Sequence, residues 1–229
     1  MADQRLIVAL DVSTAAELRE LVKQIPNTHC RAKVGKELFT SIGPLAIEIC
    51  HDAGLEVFLD LKFHDIPNTC AKAVRAAARW GVWMTNVHCS GGTDMMRAAR
   101  EILEGEAHRP LLIGVTVLTS MSESGLQELD VSHDLESQVD HLAGLAHASG
   151  LDGVVCSAQE TQRLRQSFGA DFCLVAPGIR PSWAAAGDQT RIVTPKDAIA
   201  NGSDYLVIGR PITASDHPET SIARIVDEL

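Results

Sequence analysis

The strongest constraint on the fold is a unit that recurs along the whole chain. Each unit has a short apolar run rich in β-branched residues, then a turn, then a stretch with helical periodicity. Such amphipathic stretches lie, for example, at residues 15–25, 45–53, 68–80, 94–103 and 135–148. The apolar runs, which we interpret as eight strands, are residues 5–11, 31–35, 56–62, 82–88, 111–117, 153–156, 172–176 and 205–208.

Strands that alternate with helices pair in parallel through right-handed crossovers. Eight units in 229 residues favour a closed (β/α)8 barrel, which commonly occupies about this length. An open, doubly wound sheet is the alternative, but no Gly-x-Gly-x-x-Gly follows the first run. Since no linker or low-complexity segment divides the chain, the sequence predicts an α/β protein in which residues 1–229 form one TIM-barrel domain.

Composition argues against several classes of protein. The formal net charge is −10, whereas nucleic-acid binding needs clustered Lys and Arg, so we expect no nucleic-acid partner. No run approaches the roughly 18 apolar residues that span a bilayer, and the apolar run at residues 6–10 is too short for a signal peptide. The six cysteines form no Cys-x-x-Cys pair, which is typical of buried, reduced thiols. We therefore expect a cytoplasmic protein without membrane contact.

Charged side chains stand at the ends of several predicted strands, where barrels of this kind carry out their chemistry. Side chains alternate along a strand, so Asp60 and Lys62 face the barrel interior, and so do Lys33 and Asp11 on the first two strands. Alternating signs would keep each lysine protonated and each aspartate ionised. A structural ion pair that fixes the strand is the alternative interpretation of Asp60 and Lys62.

Three further segments have two interpretations each. Asp65 precedes Ile66-Pro67, so it is either a site residue or a helix-capping carboxylate. Residues 177–191 follow the seventh run and form either a loop that closes over a ligand or an ordinary surface loop. Gly209-Arg210 follows the eighth run and opens a helix, which suits an anion, although a tight turn with a surface arginine is the alternative.

The stretch from Asp60 to Thr69 reads Asp-Leu-Lys-Phe-His-Asp-Ile-Pro-Asn-Thr. This Asp-x-Lys-x-x-Asp-Ile-Pro-Asn-Thr form resembles the signature of the orotidine 5'-phosphate decarboxylases, most closely the compact bacterial type. Residues 182–186, Ser-Trp-Ala-Ala-Ala, lie in a loop that varies between members. Further blocks agree in order along nearly the whole chain, at residues 9–11, 33–39, 86–88, 115–120, 176–181, 187–189 and 207–211.

The resemblance implies decarboxylation of orotidine 5'-monophosphate to UMP, the last step of de novo pyrimidine nucleotide synthesis, with no cofactor and no metal. It implies that Lys62 protonates the pyrimidine carbon that loses CO2, within a network of Lys33, Asp60, Lys62 and Asp65. It also implies a homodimer that shares its active sites, with Asp65, Ile66 and Thr69 supplied by the partner subunit. The other implied substrate contacts are Asp60 with the carboxylate, Asp11 and Lys33 with the ribose, Thr119 or Ser120 with the pyrimidine, and Arg180, Gln189, Gly209 and Arg210 with the phosphate.

Two other functions remain as alternatives. One is a metal-dependent relative on a similar barrel, such as a keto-gulonate-phosphate decarboxylase or a hexulose-phosphate synthase, which stabilises an enediolate with magnesium. Residues 66–69 and 177–180 speak against it, and Lys62 would repel a cation held by His64 and His88. The other is a nucleotide sensor without catalysis, which has no need of four packed charges.

Overall fold

Eight parallel strands close into a barrel in sequence order, so that the first strand pairs with both the second and the eighth. The computed structural model describes residues 4–184 and 193–229. The predicted (β/α)8 barrel is confirmed. The strands are β1 Leu6–Ala9, β2 Cys30–Gly35, β3 Val57–Phe63, β4 Met84–His88, β5 Leu111–Val115, β6 Gly153–Val155, β7 Cys173–Pro177 and β8 Tyr205–Ile208.

Helices surround the barrel and connect its strands. Two helices follow each of β2, β5 and β8, one helix follows each of the other strands, and short 3-10 turns flank α5 at Cys89–Gly91 and Ile102–Gly105. The helices in the described residues are α1 Ala15–Val22, α2 Lys36–Ile42, α3 Leu45–Asp52, α4 Pro67–Arg79, α5 Gly92–Glu101, α6 Glu123–Glu128, α7 Leu135–Ala148, α8 Thr161–Phe168, α9 Pro195–Ala200, α10 Arg210–Thr213 and α11 Pro218–Val226.

Local signals explain where individual helices begin. Thr14 caps α1, because its hydroxyl accepts the backbone N–H of Glu17 while the Glu17 carboxylate accepts the N–H of Thr14. Pro67 opens α4 at its first turn, where a missing N–H costs nothing. The start of α4 at Pro67 therefore limits the path of the chain between the end of β3 and this helix.

Strand ends agree less well with the sequence. β8 has the predicted limits, but the predicted runs for β1 and β5 are too long, because these strands end at Ala9 and Val115. Leu10 and Val117 are still buried beyond those ends. Apolar character therefore continues after strand pairing has stopped, and the sequence pattern alone overestimates the strand length.

The core has two layers, because alternate side chains of each strand point to opposite faces. One layer packs between the sheet and the helices and includes Val8, Val57 and Leu59. The other fills the barrel and comprises Ile7, Ala9, Phe58, Met84, Ile113, Val115, Val155, Val175 and Val207.

An aromatic and cationic cluster lies at the amino-terminal end of the barrel. The guanidinium carbon of Arg31 lies 4.1 Å from the ring centroid of Trp83, and the Trp83 and Tyr205 rings meet edge to face at 5.0 Å. Arg31 also pairs with Glu56 at 2.8 Å. Since Trp83 and Tyr205 pack against the barrel interior, this end is filled, and the opposite end holds the open mouth.

No disulfide joins the six cysteines, of which five are buried and one, Cys173, is half-buried. None of the helices in residues 4–184 and 193–229 combines the length and the apolar character needed to cross a bilayer.

Candidate active site

The end of β3 places the central charges of the candidate site. Phe58 points into the barrel, and Asp60, two residues further, reaches the mouth with only 8% of its surface exposed. At Lys62 the regular alternation breaks, because the pairing with β4 shifts register between Leu59 and Phe63 and the φ of Lys62 is +52°. A non-glycine residue in this left-handed region costs about 1–3 kcal/mol unless its surroundings enforce it.

Asp60 lies between two lysines. Its Oδ1 is 2.5 Å from Nζ of Lys62, and its Oδ2 is 3.3 Å from Nζ of Lys33 on the neighbouring strand β2. Burial alone would raise the pKa of Asp60, but the charges of Lys33 and Lys62, together with the hydrogen bonds from Lys62 and Asn86, hold that pKa below its ordinary value of 3.8. The structure thus brings together three of the four members of the predicted network, with Asp60 ionised.

Asn86 on β4 is a member of this cluster that the sequence analysis did not assign. Its side-chain nitrogen donates to Oδ1 of Asp60 at 2.7 Å, and its side-chain oxygen accepts the backbone N–H of Lys62 at 2.8 Å. The residue is fully buried. One amide therefore holds both the carboxylate and the strained backbone. The sequence feature that could have indicated this role was a single amide residue in the apolar run of β4, on the same face as His88.

A cavity of about 160 Å³ opens beside these charges. One wall is charged and the opposite walls are apolar, a combination that suits a flat heterocycle bearing a carboxylate. Thr119 contributes to the lining, whereas Ser120 is exposed and does not. The lining residues are Lys33, Phe58, Asp60, Lys62, Val115, Val117, Leu118, Thr119, Val155, Pro177 and Val207.

Asp11 and Gly209, two of the residues expected to contact ribose and phosphate, lie close together beyond the ends of β1 and β8. Asp11 is exposed just beyond the end of β1, and a Cβ on Gly209 would lie only 3.0 Å from its Oδ2. Glycine at position 209 therefore leaves room for the carboxylate of Asp11. Arg210 follows directly and is exposed.

Helix α10, which Arg210 opens, has only four residues. The helix expected to open at Gly209-Arg210 is present, but its dipole is small because few peptide dipoles add along so short a helix. An anion at this position depends instead on the guanidinium of Arg210 and on nearby backbone N–H groups.

Arg180 lies on the loop after β7 and is 6% exposed. Its backbone N–H donates to the carbonyl of Val193 at 3.1 Å, and Ile179 forms a parallel bridge with Val193. Gln189 lies outside the described residues, together with the rest of positions 185–191 of the predicted loop 177–191.

Asp65, Ile66 and Thr69 are exposed and do not line the cavity of their own chain. The Asp65 carboxylate accepts the N–H of Ile66 at 2.6 Å, and Ile66, the N-cap residue of α4, receives no further side-chain cap. The interpretation of Asp65 as a helix cap is therefore wrong, because it bonds no N–H inside the helix.

The rings of His64 and His88 lie 5.7 Å apart at the same mouth. Burial, together with the nearby His64, Lys36 and Lys62, lowers the pKa of His88 to about 4. The imidazole of His88 is therefore neutral near pH 7. In the described part of the chain, no three His, Cys, Asp or Glu side chains come together in a group that could hold a metal ion.

Comparisons with known proteins agree with the fold and show the family of the chain. A sequence model described as "Orotidine 5'-phosphate decarboxylase / HUMPS family" matches residues 4–225. A protein of Hahella chejuensis named orotidine 5'-phosphate decarboxylase is 57% identical over 225 residues, which cover 98% of this chain and 97% of the relative.

A Vibrio cholerae relative with the same name is 56% identical over 230 residues, with both chains fully covered. The crystal structure of an orotidine 5'-phosphate decarboxylase from Lactobacillus acidophilus superimposes with a TM-score of 0.87 at 37% identity, covering 99% of each chain.

Proposed function

The chain belongs to the orotidine 5'-phosphate decarboxylase / HUMPS family, and from this membership we propose that it converts orotidine 5'-monophosphate to UMP and CO2. The observation that carries the proposal is the buried Asp60 between the ammonium groups of Lys33 and Lys62, at the edge of a cavity with apolar walls. This arrangement supplies a fixed positive charge where the reaction develops negative charge.

The reaction breaks the bond between a ring carbon and its carboxylate, and both electrons stay on the carbon. They occupy an in-plane orbital with little delocalisation into the ring, so the carbanion needs external stabilisation. The ammonium of Lys62 provides it and then transfers a proton to the same carbon, which combines electrostatic and general acid catalysis. Lys62 becomes a neutral amine and regains its proton from solvent.

Asp60 has two roles in this scheme. It holds the ammonium of Lys62 through the 2.5 Å contact, and Asn86 and Lys33 hold Asp60 in turn. Because the pKa of Asp60 is lowered, its carboxylate is ionised and faces the carboxylate of the bound substrate. The repulsion between the two ends when CO2 leaves as a neutral molecule.

We take the remaining substrate contacts from the resemblance to the family. Asp11 and Lys33 bind the ribose hydroxyls, and Thr119, which lines the cavity, contacts the pyrimidine. The phosphate is held by Arg180, Gln189, Gly209 and Arg210. Binding energy from the phosphate then positions the distant reacting carbon.

The active unit is a homodimer in which each site receives Asp65, Ile66 and Thr69 from the partner subunit. Ile66 fits this arrangement, because its large apolar side chain is 66% exposed and a partner subunit at this place would remove it from water. Asp65 supports it as well, since its carboxylate lies on the surface and outside the cavity lining of its own chain.

The test follows the absorbance loss of orotidine 5'-monophosphate in buffer containing EDTA, with wild type and Lys62→Ala. Wild type should turn over unaffected by the chelator, and the variant should lose at least about 10⁴-fold in kcat while its circular dichroism stays native. Lys23→Ala, which removes an exposed ammonium, is the matched control and should behave as wild type.

Three results would contradict the proposal. Near-normal turnover by Lys62→Ala would remove this lysine from its role. Turnover that disappears with EDTA and returns with magnesium would favour the metal-dependent relative. Tight UMP binding by wild type without any CO2 release would favour a nucleotide sensor.

A further inference from the structure

Trp183 connects the loop after β7 to the carboxyl-terminal helix. The guanidinium carbon of Arg224, on α11, lies 4.3 Å from the centroid of the Trp183 ring. The indole also packs against the hydrophobic cluster that contains Ile222 and Ile225 of the same helix. Two contacts outside its own loop therefore hold Trp183. One is its packing against the hydrophobic cluster, and the other is the guanidinium of Arg224 over the face of its ring.

Only two residues separate Trp183 from Arg180, one of the two arginines assigned to the phosphate. Pro181 between them is buried, and the N–H of Ala184 closes a turn on the carbonyl of Pro181 at 3.0 Å. The other side of Arg180 is tied to Val193 by a backbone hydrogen bond. The position of Arg180 therefore depends on where the Trp183 ring packs.

The second phosphate arginine, Arg210, depends on the same cluster. It opens α10, in which Ile212 is fully buried in the cluster that Trp183 packs against. Helices α10 and α11 also contact each other directly. The indole therefore lies against the structure that carries Arg210 as well as the loop that carries Arg180.

The indole nitrogen of Trp183 is buried and has no hydrogen-bond acceptor among the described residues. A buried donor without a partner is unfavourable, whereas a phenylalanine would fill much of the same space without that donor. Within residues 4–184 and 193–229, the contacts of Trp183 are therefore made by its ring, whose face lies under Arg224.

We infer that Trp183 and Arg224 form a positioning contact for phosphate recognition, which sets the spacing between Arg180 and Arg210. The identity of the ligand, a 5'-phosphate monoester, rests on the proposed function. Two guanidinium groups bind the oxygens of one phosphate more tightly when their spacing is fixed before binding, because less conformational freedom is lost. Trp183 lies in the 182–186 stretch, outside the blocks that carry the resemblance.

The test compares two substrates, orotidine 5'-monophosphate and orotidine, which lacks the phosphate. Arg224→Ala should lower kcat/KM for the phosphorylated substrate about tenfold, mainly through KM, and leave kcat/KM for orotidine unchanged. Arg224→Lys, which keeps a cation over the ring, should recover most of the loss. Lys196→Ala on the adjacent helix α9 makes the same change of charge at an exposed site and should alter neither value.

Trp183→Phe provides a second route, since it keeps a ring under Arg224 and should remain close to wild type, whereas Trp183→Ala should resemble or exceed Arg224→Ala. If Trp183→Ala does not fold, the Arg224 variants and Trp183→Phe still decide the matter. Melting temperatures show that each assayed variant is folded.

An equal loss for both substrates, or no loss in Arg224→Ala, would overturn the inference. Failure of the proposed function is distinguishable, because it would appear in wild type as an absence of orotidine 5'-monophosphate turnover before any variant is compared.

Discussion

Asn86 determines where the ammonium of Lys62 lies, although it carries no charge itself. It is the shared partner of the Asp60 carboxylate and the Lys62 backbone N–H. Its loss would leave a buried donor unpaired and would release a strained backbone, so the reacting groups would no longer be held in place.

We predict that Asn86→Ala lowers kcat by about 10²-fold with a much smaller change in KM, because the substrate contacts remain while the proton donor is misplaced. Steady-state kinetics at saturating substrate measures this. Thr85→Val is the matched control, since Thr85 is the buried neighbour on the opposite face of β4 and bonds only the carbonyl of Leu59. Equal kcat values for Asn86→Ala and wild type would show that the amide does not position the lysine.

His88 makes the folded state sensitive to acid. Its pKa is lowered from 6.5 to about 4 by burial and by the nearby His64, Lys36 and Lys62, against the opposite effect of Asp60. In the unfolded chain a histidine titrates near 6.5. Between pH 6.5 and about 4 the unfolded chain therefore binds more protons than the folded protein, and stability falls as the pH falls through this window.

We predict that His88→Gln has a flatter dependence of melting temperature on pH across this window than wild type. Scanning calorimetry at several pH values between 6.5 and about 4 measures it. His29→Gln, at an exposed histidine, should keep the slope of wild type. A slope in His88→Gln as steep as that of wild type would contradict the assignment.

At the scale of single residues, strand alternation was sufficient to predict which charged side chains face the barrel interior, but not which residues hold them in place. It placed Lys33 and Asp60 on the inner face, and the structure has their charged atoms 3.3 Å apart. It did not predict the positive φ of Lys62, because β3 carries no glycine or turn residue to signal it. Asn86 was missed because an amide becomes meaningful only when its neighbours in space are known.

Among the elements, the junction of α8 with β7 and β8 depends on one side chain. Nη2 of Arg165 donates to the Asp204 carboxylate at 2.6 Å, and the same carboxylate oxygen accepts the N–H of Leu174 on β7. The other hydrogen bonds of Arg165 go to the carbonyls of Gly169, Ala170, Phe172 and Gly202.

We predict that Arg165→Ala lowers the free energy of unfolding by about 2–4 kcal/mol, because several carbonyls and a carboxylate lose their donor together. Urea unfolding measures it. Arg19→Ala, at an exposed position on α1, should change stability by less than about 0.5 kcal/mol. A value for Arg165→Ala in that small range would show that solvent replaces these hydrogen bonds at no cost.

The limits of helices and strands were predicted more accurately where the sequence has a clear periodicity. Helix α7 and strand β8 have the predicted limits, since each is bounded by clear turn residues. Strand ends at the barrel mouth were not predictable, because Leu10 and Val117 remain buried after pairing ends. A helix was predicted to open at Gly209-Arg210 and α10 begins there, but the division into α10 and α11 was not predicted, because α10 has only four residues.

For the whole molecule, the count of eight strand–helix units was enough to predict closure into a barrel. Periodicity carries no information on the proposed association of two barrels, since that pattern reports only the core of one chain. The exposed Ile66 is the residue on which a test of this association can be built.

We predict that mixing inactive Lys62→Ala with inactive Asp65→Ala chains restores activity. Each mixed dimer would contain one site with both side chains intact, so random pairing of equal amounts gives about a quarter of wild-type activity. Refolding the two variants together, followed by the absorbance assay, measures it. Each variant refolded alone is the control, and a mixture no more active than these controls would assign both residues to the same subunit.

The irregular end of β3 limits how this chemistry could be moved to another scaffold. A designer who copied the lysines and aspartates onto a straight strand would leave out the left-handed residue and the amide that holds it. The ammonium would then project along the regular pleat instead of turning back onto the carboxylate. A faithful graft must include the register shift and the neighbouring strand, so the smallest transferable unit is a pair of strands rather than a set of side chains.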